Sequence, residues 1–199
     1  MPILQEIRER FQANLARVQN ILALYVEGSG KGRGRRRVHE SDLLRAAVML
    51  LHGTFEDLLR SLAEWKLPTA KAEALAEIPL AGTKRGARID LQELAGFRGR
   101  TVDEVIADSV KEYLERSSYN HPGDVKMLLE KVGLSPKLVD GYSLDLAAMM
   151  MRRHWIAHRA DRNPEKGSGQ HAAKSLSAQG VTRWINAVER CGQDILSQF

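Results

Sequence analysis

A dense group of basic and imidazole side chains lies between residues 152 and 162, in the order Arg-Arg-His-Trp-Ile-Ala-His-Arg-Ala-Asp-Arg. Histidine is the only side chain whose unperturbed pKa allows proton transfer near neutral pH. The arginine guanidinium stays charged and presents a planar fork that matches phosphate oxygens. Cleavage of RNA by its own 2′-OH needs a base for the hydroxyl proton and a cation for the phosphorane. The segment therefore predicts phosphodiester chemistry that needs no metal.

The same residues are compatible with other roles. A basic run at the end of a helix also complements the helix dipole as a solvated face. His154 and His158 are four positions apart, so they share a helix face and could bind a metal ion. However, Trp155 occupies the position of a zincin glutamate, no third ligand lies nearby, and Asp161 is flanked by arginines that repel cations. We therefore predict no metal site and no cofactor.

Apolar residues at three- and four-residue steps predict amphipathic helices over 2–26 and about 41–66. Residues 67–100 are interrupted by prolines and glycines and give no clear element. Thr101 and Glu104 then form a capping-box pattern, which predicts the start of a third long helix.

The last third of the chain should position the basic cluster. Gly133 suits the end of a short helix, and Ser135-Pro136 suits the start of the next one. We predict that Ser143 caps a helix from Leu144 to about Arg162, which Asn163-Pro164 terminates, and that a final helix reaches the C-terminus. Short connections between helices favour antiparallel neighbours.

Length predicts one domain over residues 1–199, and the helical patterns along it predict an all-α antiparallel bundle of about five to seven helices. The single cysteine, Cys191, excludes an internal disulfide and a cysteine zinc site. No signal peptide is visible, and the longest apolar runs are too short to span a bilayer. We therefore expect a cytoplasmic protein that makes no membrane contact.

A glycine- and arginine-rich loop at residues 28–37 concentrates positive charge. Residues 27–37 carry five cations against one anion, and so hold most of the chain's net charge of +5. Such concentration indicates a polyanionic partner more than a uniformly basic surface would. The alternative is a solvated loop that only aids solubility. If the partner is RNA, the contacting cations are Lys31, Arg33, Arg35, Arg36 and Arg37.

The stretch Arg153-His154-x-x-x-His158 resembles the signature of the HEPN ribonuclease superfamily, and the continuation to Arg162 is similar to its RiboL-PSP subgroup. Residues 41–62, 97–104 and 119–124 also resemble that subgroup, so the likeness runs from about residue 5 to 199. His154 stands where a smaller polar residue is often found, and Trp155 is bulkier than the signature suggests. Neither departure removes the arginine or the second histidine.

The resemblance implies a helical homodimer in which the motif helices of two protomers line one cleft, where RNA is cut without metal. It also implies a toxin or phage-defence role and a cognate antitoxin or nucleotidyltransferase as partner. His158 would act as general base or acid, and Arg153 would stabilise the transition state. His154 would position Arg153, His158 or the substrate, while Arg152 and Arg159 would contact RNA.

Two alternatives belong to other functional classes. The first is a non-catalytic HEPN module that binds RNA or protein, although the Arg153/His158 pair favours catalysis. The second is a helical scaffold without RNA contact, against which the basic loop argues.

Overall fold

The computed structural model describes residues 2–28, 38–83, 90–162 and 174–199. All regular elements in these ranges are helical, which confirms the all-α prediction. The α-helices are α1 (Pro2–Gly28), α2 (Val38–Lys66), α3 (Ala72–Leu75), α4 (Leu91–Ala95), α5 (Val102–Arg116), α6 (Pro122–Lys131), α7 (Ser143–Arg159) and α8 (Ala178–Leu196), with 3-10 helices at Leu67–Thr69 and Pro136–Tyr142. The described ranges hold more α-helices than predicted, because α3 and α4 are too short to give a periodic pattern.

The first two helices form an antiparallel hairpin. Arg10, in the first half of α1, pairs with Asp57, in the second half of α2, with 3.1 Å between Nε and Oδ2. The apolar stripes predicted from the sequence face each other and are buried, because each covers the other from water. Their buried members are Ile7, Phe11, Leu15, Val18 and Tyr25 of α1, and Leu44, Val48, Leu51, Phe55, Leu58, Leu59 and Leu62 of α2.

Helix α8 completes the core against this hairpin. The backbone of α8 comes close to the hairpin at Gly192, where a Cβ atom would overlap the ring of Phe11 and lie 3.0 Å from a methyl carbon of Leu58. Leu146, Met149 and Met150 of α7 are also buried in the core, whereas Met151 is 59% exposed. Across the described residues, no helix combines the length and apolar character needed to cross a membrane.

Most of the predicted helix ends are confirmed. Thr101 and Glu104 form a capping box at the start of α5, Gly133 has a φ of +82° just beyond α6, and Ser135 caps the 3-10 helix that begins at Pro136. The prediction for Ser143 is wrong. Its hydroxyl donates to the carbonyl oxygen of Val139 (2.9 Å), because the 3-10 helix before it leads directly into α7.

Candidate functional site

Helix α7 ends earlier than the sequence indicates. We predicted an end at about Arg162, but the last helical residue is Arg159. Ala160 and Asp161 take the left-handed conformation, with φ of 47° and 57°, and the N–H of Asp161 donates to Trp155 (3.0 Å). This conformation costs energy for residues other than glycine, so surrounding contacts must hold it in place. The prolyl stop expected at Asn163-Pro164 therefore does not set the end of the helix.

Those contacts come from a buried ionic cluster beneath the end of α7. Oδ2 of Asp161 accepts from Nη2 of Arg152 (2.6 Å) and from Nε of Arg45 on α2 (2.8 Å). The Asp161 side chain is fully buried, and Arg152 is nearly so. Burial lowers the pKa of Arg152, while the charge of Asp161 opposes this effect. The two ion pairs thus hold the Asp161 carboxylate inside the fold. The chain reverses direction at Ala160 so that Asp161 can reach both arginines.

Arg152, which we predicted to contact RNA, is buried and paired with Asp161 in the structure. Its Nη2 is used by Asp161 and by the carbonyl oxygen of Lys174 (2.6 Å), and its side chain lies inside the fold. A buried guanidinium already paired with a carboxylate has no free face for a phosphate. Arg152 instead stabilises the segment that follows α7.

Arg153 lies at the edge between the core and the surface. It is partly buried, and its Nη1 donates to Oδ1 of Asn120 at a long 3.4 Å. Asn120 is exposed and belongs to the turn before α6, which sequence spacing gave no reason to place beside α7. The structure therefore brings residues 119–124 into contact with α7, the helix that holds the Arg153-His154-x-x-x-His158 motif.

The turn at residues 119–121 is fixed by polar groups on both sides. His121 caps α6 by accepting from Gly123 N (3.1 Å), and Oδ2 of Asp124 accepts from the N–H groups of Asn120 and His121 (3.1 and 2.9 Å). On the inner side, Oε1 of Glu56 accepts from the N–H of Tyr119 (3.1 Å). The turn is thus a rigid support for the Asn120 side chain.

His154 and His158 occupy a different side of α7 from Arg153. Both are exposed, and their ring centroids are 4.8 Å apart. Positions 153 and 158 differ by about 140° around an ideal helix. Arg159 is also exposed. Among the described residues, no group of three or more histidine, cysteine, aspartate or glutamate side chains is arranged to hold a metal ion.

The remaining predicted RNA contacts belong to the basic loop. Lys31, Arg33, Arg35, Arg36 and Arg37 lie outside the described residues.

Sequence reasoning missed three residues near the site: His52, Glu56 and Asn120. His52 lies on the buried stripe of α2, next to Leu51, and is 1% exposed. A histidine among core positions, with a glutamate one turn later, was a usable signal, because buried polar side chains need partners. No feature of the sequence indicated the contact between Asn120 and Arg153.

Comparisons of the chain with protein-family models, with curated proteins and with solved structures give no match in any of the three.

Proposed function

We propose that the protein is a metal-independent endoribonuclease of the HEPN type, acting as a toxin or phage-defence effector. The observation that carries the proposal is the arrangement on α7: an arginine held at the surface by Asn120, and an exposed histidine pair within two turns of it. These are the functional groups that transesterification of RNA requires.

In the proposed reaction, the imidazole of His158 takes the proton of the substrate's 2′-OH, and the 2′ oxygen attacks the adjacent phosphorus. The bond from phosphorus to the 5′ oxygen breaks, and that oxygen receives the proton that the His158 imidazole had taken up. The products are a 2′,3′-cyclic phosphate and a 5′-OH. The guanidinium of Arg153 stabilises the extra negative charge of the phosphorane, and His154 positions the substrate or His158.

The separation of Arg153 and His158 around α7 favours a site built from two protomers. The apolar run 146–150 of α7 would suit close helix approach in a dimer, but its residues Leu146, Met149 and Met150 are buried within the protomer. The large apolar side chains that α7 exposes are instead Leu144 and Met151, which are 89% and 59% exposed. Positions 144, 151 and 158 are seven apart, so they form one stripe along α7. We propose that this stripe meets its copy in a homodimer.

The test is incubation of the purified protein with RNA in EDTA, followed by analysis of the new ends. We expect cleavage in EDTA, 5′-OH ends, and no cutting at a 2′-deoxy nucleotide. General acid–base catalysis and charge stabilisation each contribute about 10²–10⁴-fold, so His158→Ala and Arg153→Ala should each remove visible cleavage. Arg17→Ala, which changes an exposed arginine of α1, is the matched control.

Three results would contradict the proposal: cleavage that requires magnesium, cleavage of the 2′-deoxy substrate, or full activity of His158→Ala. RNA binding without cleavage by the unmodified protein would instead indicate the non-catalytic module.

A further inference from the structure

Two polar side chains of α2, those of His52 and Glu56, contact the backbone of one residue in the 119–121 turn, Tyr119. Glu56 accepts from the N–H of Tyr119, and Nε2 of His52 lies 3.3 Å from the carbonyl oxygen of the same residue. A carbonyl only accepts, so Nε2 of His52 must carry the proton. Buried polar groups are costly unless they are bonded. Here the two side chains satisfy both backbone groups of Tyr119.

Other contacts hold the surrounding chain. Arg60, one turn beyond Glu56, donates to the carbonyl oxygens of Leu114 and Ser117, which lead into the turn. The Tyr119 side chain is 5% exposed, with the Arg60 guanidinium 5.8 Å from its ring centroid. This arrangement leaves Asn120 as the residue whose side chain points out of the turn toward Arg153.

The electrostatic effects connect the same residues. Burial lowers the pKa of His52, Glu56 opposes this, and the positive charge of Arg153 lowers the pKa further. Arg153 therefore lies close enough to His52 to affect the pKa of its imidazole, although the direct hydrogen bond of Arg153 is to Asn120. A neutral His52 retains the N–H that holds Tyr119.

We propose that His52 and Glu56 are positioning residues for Arg153: they hold the backbone of Tyr119, and the adjoining Asn120 sets the orientation of the Arg153 guanidinium. The inference deepens the proposed function and rests on it for its catalytic meaning. The contacts themselves can be tested without any assay of cleavage.

The first experiment is nitrogen-15 NMR of the arginine side chains, with the Arg153 Nε–H signal assigned by its loss in Arg153→Lys. We expect Asn120→Ala and Glu56→Leu to shift this signal, because each interrupts the chain of contacts. Glu56→Gln keeps an oxygen that can accept from Tyr119, so it should restore the signal. Since Asn120 is exposed, Asn120→Ala should fold normally even if Glu56→Leu does not.

The second experiment measures RNA affinity in a His158→Ala background, where the substrate remains intact. Asn120→Ala should weaken binding about threefold to tenfold, and should have no further effect once Arg153→Ala is present. Gln5→Ala, which removes an exposed amide side chain of α1 that bonds to Glu9 on the same helix (2.8 Å), serves as the control.

An Arg153 signal that does not move in Asn120→Ala would overturn the inference, as would additive effects in the Asn120→Ala, Arg153→Ala cycle. Absence of RNA binding by the parent would count against the proposed function. In that case the NMR shifts alone would decide whether the contacts orient Arg153.

Discussion

Arg152 and Asp161 are nine residues apart in the chain, yet Nη2 of the arginine lies 2.6 Å from Oδ2 of the aspartate. The contact forms because the chain leaves α7 through two left-handed residues and folds back beneath it. Arg45 of α2 joins the same oxygen, so one carboxylate compensates two guanidinium groups inside the protein.

We expect Asp161→Asn to destabilise the protein by about 3 kcal/mol or more, because it leaves buried positive charge without compensation. Asparagine tolerates the left-handed conformation, so the change tests charge and not backbone strain. The measurement is urea denaturation followed by circular dichroism. Asp42→Asn is the matched control, since Asp42 also pairs with Arg45 (3.1 Å) but its side chain is 62% exposed. It should cost less than about 1 kcal/mol, and equal effects at the two positions would argue against a special role for Asp161.

The second prediction concerns the proposed dimer. A charge placed on the exposed stripe of α7 should disfavour its burial, so Met151→Glu should convert a dimer into a monomer and remove cleavage. Met127→Glu on α6 is the control, because Met127 is similarly exposed, at 56% against 59% for Met151. Sedimentation velocity should give about twice the chain mass of 22.3 kDa for the parent and the control. A monomeric parent that still cleaves RNA would exclude the composite site.

The third prediction tests the packing of α8 against α1. Gly192→Ala should destabilise the fold by about 1–3 kcal/mol, because the new methyl group must displace the buried ring of Phe11. Gly53→Ala provides the opposite case. Gly53 is an exposed position of α2 with no atom near the added Cβ, and alanine there should stabilise the helix by about 0.5–1 kcal/mol. Thermal denaturation of both variants checks the sign, and a stable Gly192→Ala protein would refute the close approach.

The fourth prediction is a dependence of stability on pH. His52 has a lowered pKa in the fold, where burial and Arg153 outweigh Glu56 and Tyr119, while its unfolded pKa lies near the ordinary 6.5. The unfolded state therefore takes up the proton first on acidification. The contribution of His52 to stability is complete above pH 6.5 and declines progressively as the pH falls toward the folded pKa. His52→Gln should remove this part of the acid sensitivity in urea titrations between about pH 5 and 8, and parallel curves for the two proteins would contradict it.

The fifth prediction concerns the basic loop, which lies outside the described residues. If its cations bind RNA phosphates, removing one such cation should reduce the slope of log affinity against log salt by roughly 0.7 for a single strand. The measurement compares His158→Ala with the same protein carrying alanine at Lys31, Arg33, Arg35, Arg36 and Arg37. An unchanged slope would mean that the loop is only solvated surface.

The fold could be predicted where local patterns decide it. The stripes of α1 and α2 and the capping box at Thr101 depend on residues within a few positions of one another, so they are visible in the sequence. Helices α3 and α4 were not predicted, since a single turn leaves no periodicity. The early end of α7 was also missed, because it depends on Arg45, which lies 116 positions from Asp161.

The same distinction applies to the candidate site. The placement of Arg153, His154 and His158 on one helix follows from their spacing, and the structure agrees with it. The burial of Arg152 does not follow from spacing. Arg152 and Arg153 are adjacent arginines, and only the packing around α7 decides which of the two faces the interior. The hydrogen bond from Arg153 to Asn120 joins residues 33 positions apart, and only the packing of α6 beside α7 creates it.

The backbone contacts of Lys174 have a consequence for how this chain can change in length. Its N–H donates to the carbonyl oxygen of Asp161 (2.9 Å), while its own carbonyl accepts from Arg152, so the chain leaves α7 and returns at nearly the same point. The entropy of closing a loop grows only slowly with length, by about 0.6 kcal/mol for each doubling. Changing the number of residues between Asp161 and Lys174 therefore costs little in closure entropy, provided that these two residues still meet. The contact between Asp161 and Lys174 thus makes the end of α7 independent of how many residues separate them.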